Sequence, residues 1–305
     1  MRVFRGAGRL PNFIIIGVMK AGTTSLHFYL DQHPEIYMCP LTEPRFFSFE
    51  GERLTFRGPG DKIVNKHAVT DLEKYKKLFV GVKNEIAVGE KSPSYIHMAK
   101  AAERIKHYIP NAKIIAMLRN PIDRAFSAFL MHTRNGNEKL SFEQALEMEE
   151  LRLKNNWSWG WGYVYLGLYA RQLKIYFGLF ERKNLLIILF EDFVSNPQWV
   201  LKKIFNFLGV NDDFSPNLKN KYNISGIPKI KILHRSLFNI KNTFYFLKPY
   251  VPVFIKNRIK DIEKSMLNKP IMDINTRKKL TNIFEKDISE LEELLDRDLS
   301  IWRVY

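Results

Sequence analysis

Four short apolar runs punctuate the chain: FIII at 13–16, EIAVGE at 85–90, KIIAMLRNP at 113–121 and NLLIILFEDF at 184–193. Each is rich in β-branched residues or leucine without polar alternation, which predicts strands buried on both faces of a parallel sheet. Helical spacing fills 23–32, 71–78, 99–108, 121–132, 141–154, 166–180 and 197–208. Strand and helix in alternation predict a doubly wound, mainly parallel α/β sheet flanked by helices, with ligands at the carboxyl ends of the strands. Two helix starts are marked by Asn120 before Pro121 and Asn196 before Pro197, a capping side chain followed by a residue suited to the first helical position. Past residue 210 the pattern gives way to a long polar loop, NDDFSPNLKNKYNISGIPK, and long loops in compact domains are often functional. From Asp273 an amphipathic helix is expected, with Leu280, Ile283, Phe284, Ile288 and Leu291 on one face. No internal repeat or low-complexity linker divides the 305 residues. The expectation is therefore a single domain over 1–305, with a core at 11–230 and a C-terminal helical extension at 231–305 packing on it.

Composition supports a packed core, with 46% hydrophobic and 13% aromatic residues. The 48 Lys and Arg against 32 Asp and Glu leave +16, which favours an anionic partner: a nucleotide, a phosphorylated or sulfated sugar, a nucleic acid or an acidic membrane face. The stretch FNIKNTFYFLKPYVPVFIKNRIK, 238–260, interleaves aromatics with lysine and suits a peripheral membrane contact. The other reading of it is a helix pair broken at Pro249 and Pro252. Cys39 is the one cysteine, so no internal disulfide is available and a reducing, cytoplasmic compartment is expected. The first apolar run is only strand-length and ends in a glycine loop, unlike a signal or membrane segment.

The chemistry concentrates in IIIGVMKAGTTSL, 14–26. Gly17 and Gly22 keep the spacing of a nucleotide-triphosphate loop, G-x-x-x-x-G-K-[ST], yet Thr23 stands where the lysine belongs and Lys20 lies two residues before Gly22. The amides of residues 22–25 would be free donors at a helix start, with the positive end of the dipole facing an oxyanion and Lys20 beside it. The plain alternative is a tight strand-to-helix turn with a solvated lysine.

The loop resembles the 5'-phosphosulfate loop of sulfotransferases that use 3'-phosphoadenosine 5'-phosphosulfate (PAPS), most closely the heparan-sulfate-type and bacterial carbohydrate enzymes. That resemblance implies a P-loop-like fold and a PAPS co-substrate held by Lys20, Ala21, Gly22, Thr23, Thr24 and Ser25, with no metal. Arg119 and Ser127 in LRNPIDRAFSAF resemble the family's 3'-phosphate pair. TEPRFFSF resembles the family's Glu-x-x-Phe-Phe stretch and implies Glu43 as general base, with Arg45 where the family often has histidine. Beside Pro44, Phe46 and Phe47 that carboxyl is expected to be partly desolvated and its pKa raised. GEKSPSY, 89–95, resembles a Glu-Lys-Thr-Pro-x-Tyr stretch and implies that Lys91 reaches the transferring group opposite Lys20. NISGIPK, 223–229, resembles the late loop that closes over the nucleotide and implies Ser225, Gly226 and Lys229 as contacts. Ile230 departs from the serine common there. Together these elements span roughly 11–230 in the family's order.

The resulting expectation is sulfuryl transfer to a hydroxyl or amine of a carbohydrate or glycolipid acceptor, with no nucleic acid partner. The alternative is a P-loop kinase or hydrolase, which needs a lysine after the second glycine and a carboxylate for magnesium; among the strand ends only FEDF offers one. The aromatic stretch NNWSWGWGYVYLGLY, 155–169, reads either as a sugar-stacking wall or as core.

Overall fold

The computed structural model describes residues 9–219, 227–228, 267–268 and 270–304. Five parallel strands form one sheet in the order β2-β3-β1-β4-β5: β1 (Phe13–Gly17), β2 (Ile36–Met38), β3 (Ala87–Lys91), β4 (Lys113–Leu118) and β5 (Leu185–Leu189). Every residue of β1 and β3 is buried, as a central pair of parallel strands requires, including the charged Glu90 and Lys91 at the end of β3. The chain leaves β1 toward β2 on one side and leaves β4 toward β5 on the other. Where neighbouring strands send their connections in opposite directions, a crevice opens at their carboxyl ends. Here that crevice lies above β1 and β4, the strands that precede Lys20 and Arg119.

The flanking helices are α1 (Thr23–Leu30), α2 (Phe46–Phe49), α3 (Lys62–His67), α4 (Leu72–Lys77), α5 (Ala99–Tyr108), α6 (Pro121–Arg134), α7 (Phe142–Glu147), α8 (Glu149–Lys154), α9 (Tyr169–Leu179), α10 (Phe190–Ser195), α11 (Pro197–Leu208) and α12 (Ile274–Leu295). Both marked helix starts form as expected. Asn120 Oδ1 accepts from the Ile122 amide (3.0 Å), and Asn196 Oδ1 from the Trp199 amide (3.1 Å). Residues 227–228 and 267–268 pair antiparallel.

Three expectations need correction. The first is β2, which lies in EIYMCPL, too short and too weakly patterned to predict. Second, the run at 184–193 is strand only to Leu189; FEDF turns directly into α10. Third, the helix expected over 141–154 is two, α7 and α8, meeting at Met148. The C-terminal helix α12 packs on α9 and α6 through Leu280, Phe284, Ile288 and Leu291, whereas Ile283 is 43% exposed and lies off that face.

Candidate active site

The loop after β1 turns into α1 through two residues of positive φ. Gly22 caps α1 at φ 86, ψ 5, a left-handed conformation that glycine adopts without strain. A Cβ there would meet the Phe190 ring at 3.1 Å. The first bond of the helix ladder runs from the Leu26 amide to the Gly22 carbonyl (3.1 Å), so the amides of Thr23, Thr24 and Ser25 lie ahead of it at the positive end of the helix. Lys20 is itself left-handed, at φ 74. Its carbonyl accepts from Arg119 Nη1 at 3.1 Å. Burial, followed by the positive fields of Arg134 and Arg119, lowers the Lys20 ammonium to a pKa of about 8.

These groups line one cavity of about 880 Å³. Lys20, Gly22, Thr23, Thr24 and Ser25 of the loop, Arg119 and Ser127 of the β4–α6 segment, and Glu43 all line it. Arg119 follows β4 directly and lies over the Phe190 ring, 4.8 Å from its centroid. Ser127, Met131 and Arg134 follow at helical spacing along α6 and all face the cavity. An apolar bay is closed by Tyr29, Phe190 and Phe193, with the Tyr29 and Phe193 rings 6.1 Å apart. Of the aromatic stretch at 155–169, Trp159 lines the cavity, while Trp161, Tyr163 and Tyr169 are fully buried core. The core reading of that stretch holds for these three residues, and Trp159 is its one tryptophan at the cavity.

Glu43 does not sit as the sequence suggests. Burial alone would raise its pKa, but Lys91 and Arg45 outweigh burial and hold the carboxyl below its ordinary range. Lys91 Nζ donates to Oε1 at 2.8 Å, and the Arg45 guanidinium bonds Oε2. The expected upward shift is therefore reversed, because two cations are presented to one carboxylate. Lys91, expected to reach the transferring group, has a side chain 1% exposed and bonded to Glu43, and it is not among the cavity-lining residues. Ala21 is buried behind the loop. Ser225, Gly226 and Lys229 lie outside the described residues, as does the 238–260 stretch.

A second carboxylate, Glu90, precedes Lys91 on β3 and is fully buried. Burial raises it to about 7, against the hydrogen bonds of Tyr95, Ser92 and Tyr75. Among the described residues no cluster of three or more His, Cys, Asp or Glu side chains is placed to hold a metal ion.

Sequence reasoning missed Tyr29, Arg134, Phe190 and Phe193. Arg134 had a signal, since it stands seven residues after Ser127 and so on the same face of α6. The two phenylalanines were hidden by reading FEDF as strand.

Residues 11–214 match the sequence model of the Sulfotransferase family. The chain belongs to that family. A sulfotransferase from Alicyclobacillus acidocaldarius superposes with a TM-score of 0.78 at 36% identity, covering 97% of this chain and 100% of that one. Mouse heparan sulfate glucosamine 3-O-sulfotransferase 3B1 is 30% identical over 212 residues, 68% of this chain and 48% of its own. Mouse bifunctional heparan sulfate N-deacetylase/N-sulfotransferase 4 is 29% identical over 214 residues, 68% of this chain and 23% of its own. This sulfotransferase-family chain thus spans about a quarter to a half of the length of these curated relatives.

Proposed function

We propose that the chain transfers the sulfuryl group of PAPS to a hydroxyl or amine of a carbohydrate or glycolipid acceptor. The observation that carries this reading is the convergence of Lys20, the first-turn amides of α1, Arg119, Ser127 and Glu43 on one cavity. In it, the α1 amides and Lys20 hold the 5'-phosphosulfate, and Arg119 with Ser127 holds the 3'-phosphate. The Tyr29, Phe190 and Phe193 bay takes the adenine. Glu43 removes the acceptor proton as the acceptor oxygen or nitrogen bonds to sulfur. The sulfur–oxygen bond to the 5'-phosphate breaks, and its electron pair leaves on 3',5'-adenosine bisphosphate (PAP). Lys20 is placed to stabilise the charge that gathers on that leaving oxygen. Lys91 acts through Glu43, keeping it ionised in the neutral range.

The triphosphate reading finds less support. Thr23 holds the position its lysine requires. In FEDF, Glu191 accepts from the Asn120 amide (3.0 Å) and Asp192 is paired with Arg297 (2.8 Å). The acceptor class rests on the heparan sulfate names of the relatives and on Trp159 at the cavity wall.

The same reading makes residues 1–305 one domain, supported by the packing of α12 on α6 and α9. We also place the enzyme in a reducing, cytoplasmic setting, supported by one cysteine, Cys39, which is fully buried. Among the described residues no helix is long and apolar enough to cross a membrane. A membrane contact through 238–260 is part of the proposal as a peripheral one.

The test is transfer of label from [35S]PAPS, in chelator, to a panel of glycans, glycolipids and amines. Label on an acceptor is expected; magnesium-dependent phosphoryl transfer from ATP without sulfuryl transfer would overturn the reading.

A further inference from the structure

We infer that Glu90 is a positioning residue for the base. It orients two hydroxyls so that their lone pairs hold the peptide on which Glu43 and Arg45 are mounted. Glu90 lies one residue before Lys91 on β3 and is 0% exposed. Three hydroxyls surround its carboxylate: Tyr95 (2.6 Å) and Tyr75 (3.2 Å) donate to Oε1, and Ser92 (2.8 Å) donates to Oε2. A hydroxyl has one proton, so a hydroxyl that donates to Glu90 faces its other neighbours only as an acceptor.

Two of the three use that remaining capacity on the same short segment. Ser92 Oγ accepts from the Arg45 amide (3.0 Å), and the Tyr95 hydroxyl accepts from the Phe47 amide (3.3 Å). These amides belong to the cap and the second residue of α2, a helix whose cap residue supplies no side-chain bond of its own. Glu90 therefore caps α2 from a distance, through two relays whose direction it sets. Arg45 is held at φ 57, ψ 20, a left-handed conformation that is strained for a non-glycine residue. In that conformation its guanidinium turns back onto Glu43, two residues earlier. The carbonyls of the same segment are held separately, Arg45 by the Ser48 amide (3.1 Å) and Phe47 by Arg104 Nη1 (3.1 Å), so the relays are what engage its N–H groups.

Glu90→Gln keeps the shape and reverses part of the polarity. A carboxamide offers one acceptor atom and one donor atom, so a hydroxyl facing the new NH2 must turn its proton elsewhere and its direction is no longer set. Ser92→Ala removes a single relay and leaves the carboxylate in place, which keeps the question answerable if Glu90→Gln folds poorly.

The inference rests on the reading of Glu43 as the base, so the experiment is a double-mutant cycle with Glu43→Gln. Turnover is measured per PAP-binding site, and PAP affinity is measured directly. Glu90→Gln and Ser92→Ala are each expected to lower kcat about 10- to 100-fold with PAP affinity unchanged, since a misplaced group costs rate and not nucleotide binding. Neither is expected to lower kcat further in the Glu43→Gln chain. A purely structural role would reduce the number of PAP-binding sites and leave kcat per site alone. The inference is overturned if Ser92→Ala keeps kcat within twofold, or if the loss persists in full without Glu43. Full activity in Glu43→Gln alone would instead sink the base reading, and that variant is measured first.

Discussion

Lys20 is an ammonium held near the edge of its charged range. Its pKa, lowered to about 8 by burial and by Arg134 and Arg119, means the free protein begins to lose this charge just above neutrality. A bound phosphate favours the charged form and lifts the pKa again, so above pH 8 binding must take up a proton. The sign follows directly. PAP affinity is expected to be flat below about pH 7 and to fall as pH rises through 8, by less than about tenfold in all, the limit set by what the Lys20 charge contributes to binding. Calorimetric titration at pH 7 to 9.5 in buffers of different ionisation enthalpy measures both the affinity and the proton uptake. An affinity that stays constant across that range would contradict the assignment. Glu43 shows the limit of reading at this scale. Its apolar sequence neighbours are visible and argue for a raised pKa, but its decisive neighbour, Lys91, is distant in sequence and arrives only when β3 is laid beside β2.

At the scale of elements, the turn from β1 into α1 depends on a left-handed Gly22 against Phe190 of α10. Gly22→Ala adds strain of about 1–2 kcal/mol and pushes the helix start away from the aromatic ring. The expected result is a PAP affinity lower by roughly tenfold, read by titration, together with a lower melting temperature. An unchanged affinity would show that the α1 amides are not what holds the anion. The long, uniformly apolar strands and the Asn-Pro helix starts were legible because each signal is local. β2 was not, since three residues cannot establish a period and it is a strand only by pairing with β3. α10 was missed for a related reason: FEDF continues an apolar strand with no glycine or proline between, so the chain shows no break where the helix begins. The cost of that misreading was the apolar bay.

At the scale of the molecule, the charge of +16 draws anions toward the protein, and the cavity concentrates Lys20, Arg119 and Arg134 around one crevice. The C-terminal segment, legible as an amphipathic helix, has a role its pattern does not show. Trp302 is buried, its carbonyl accepts from Asn120 Nδ2 (3.1 Å), and its ring meets Tyr169, whose hydroxyl donates to the Arg119 carbonyl (2.9 Å). The end of the described chain thereby braces the β4–α6 turn that carries Arg119. Sheet, loop and brace converge on one claim, that the displaced lysine serves group transfer more than nucleotide binding. The direct measurement is sulfuryl transfer and PAP binding in Lys20→Ala beside the unmodified protein. A fall in kcat of about 10²- to 10³-fold with PAP affinity changed by less than about tenfold is the expected result. Equal losses in both, or turnover that survives the substitution, would contradict it.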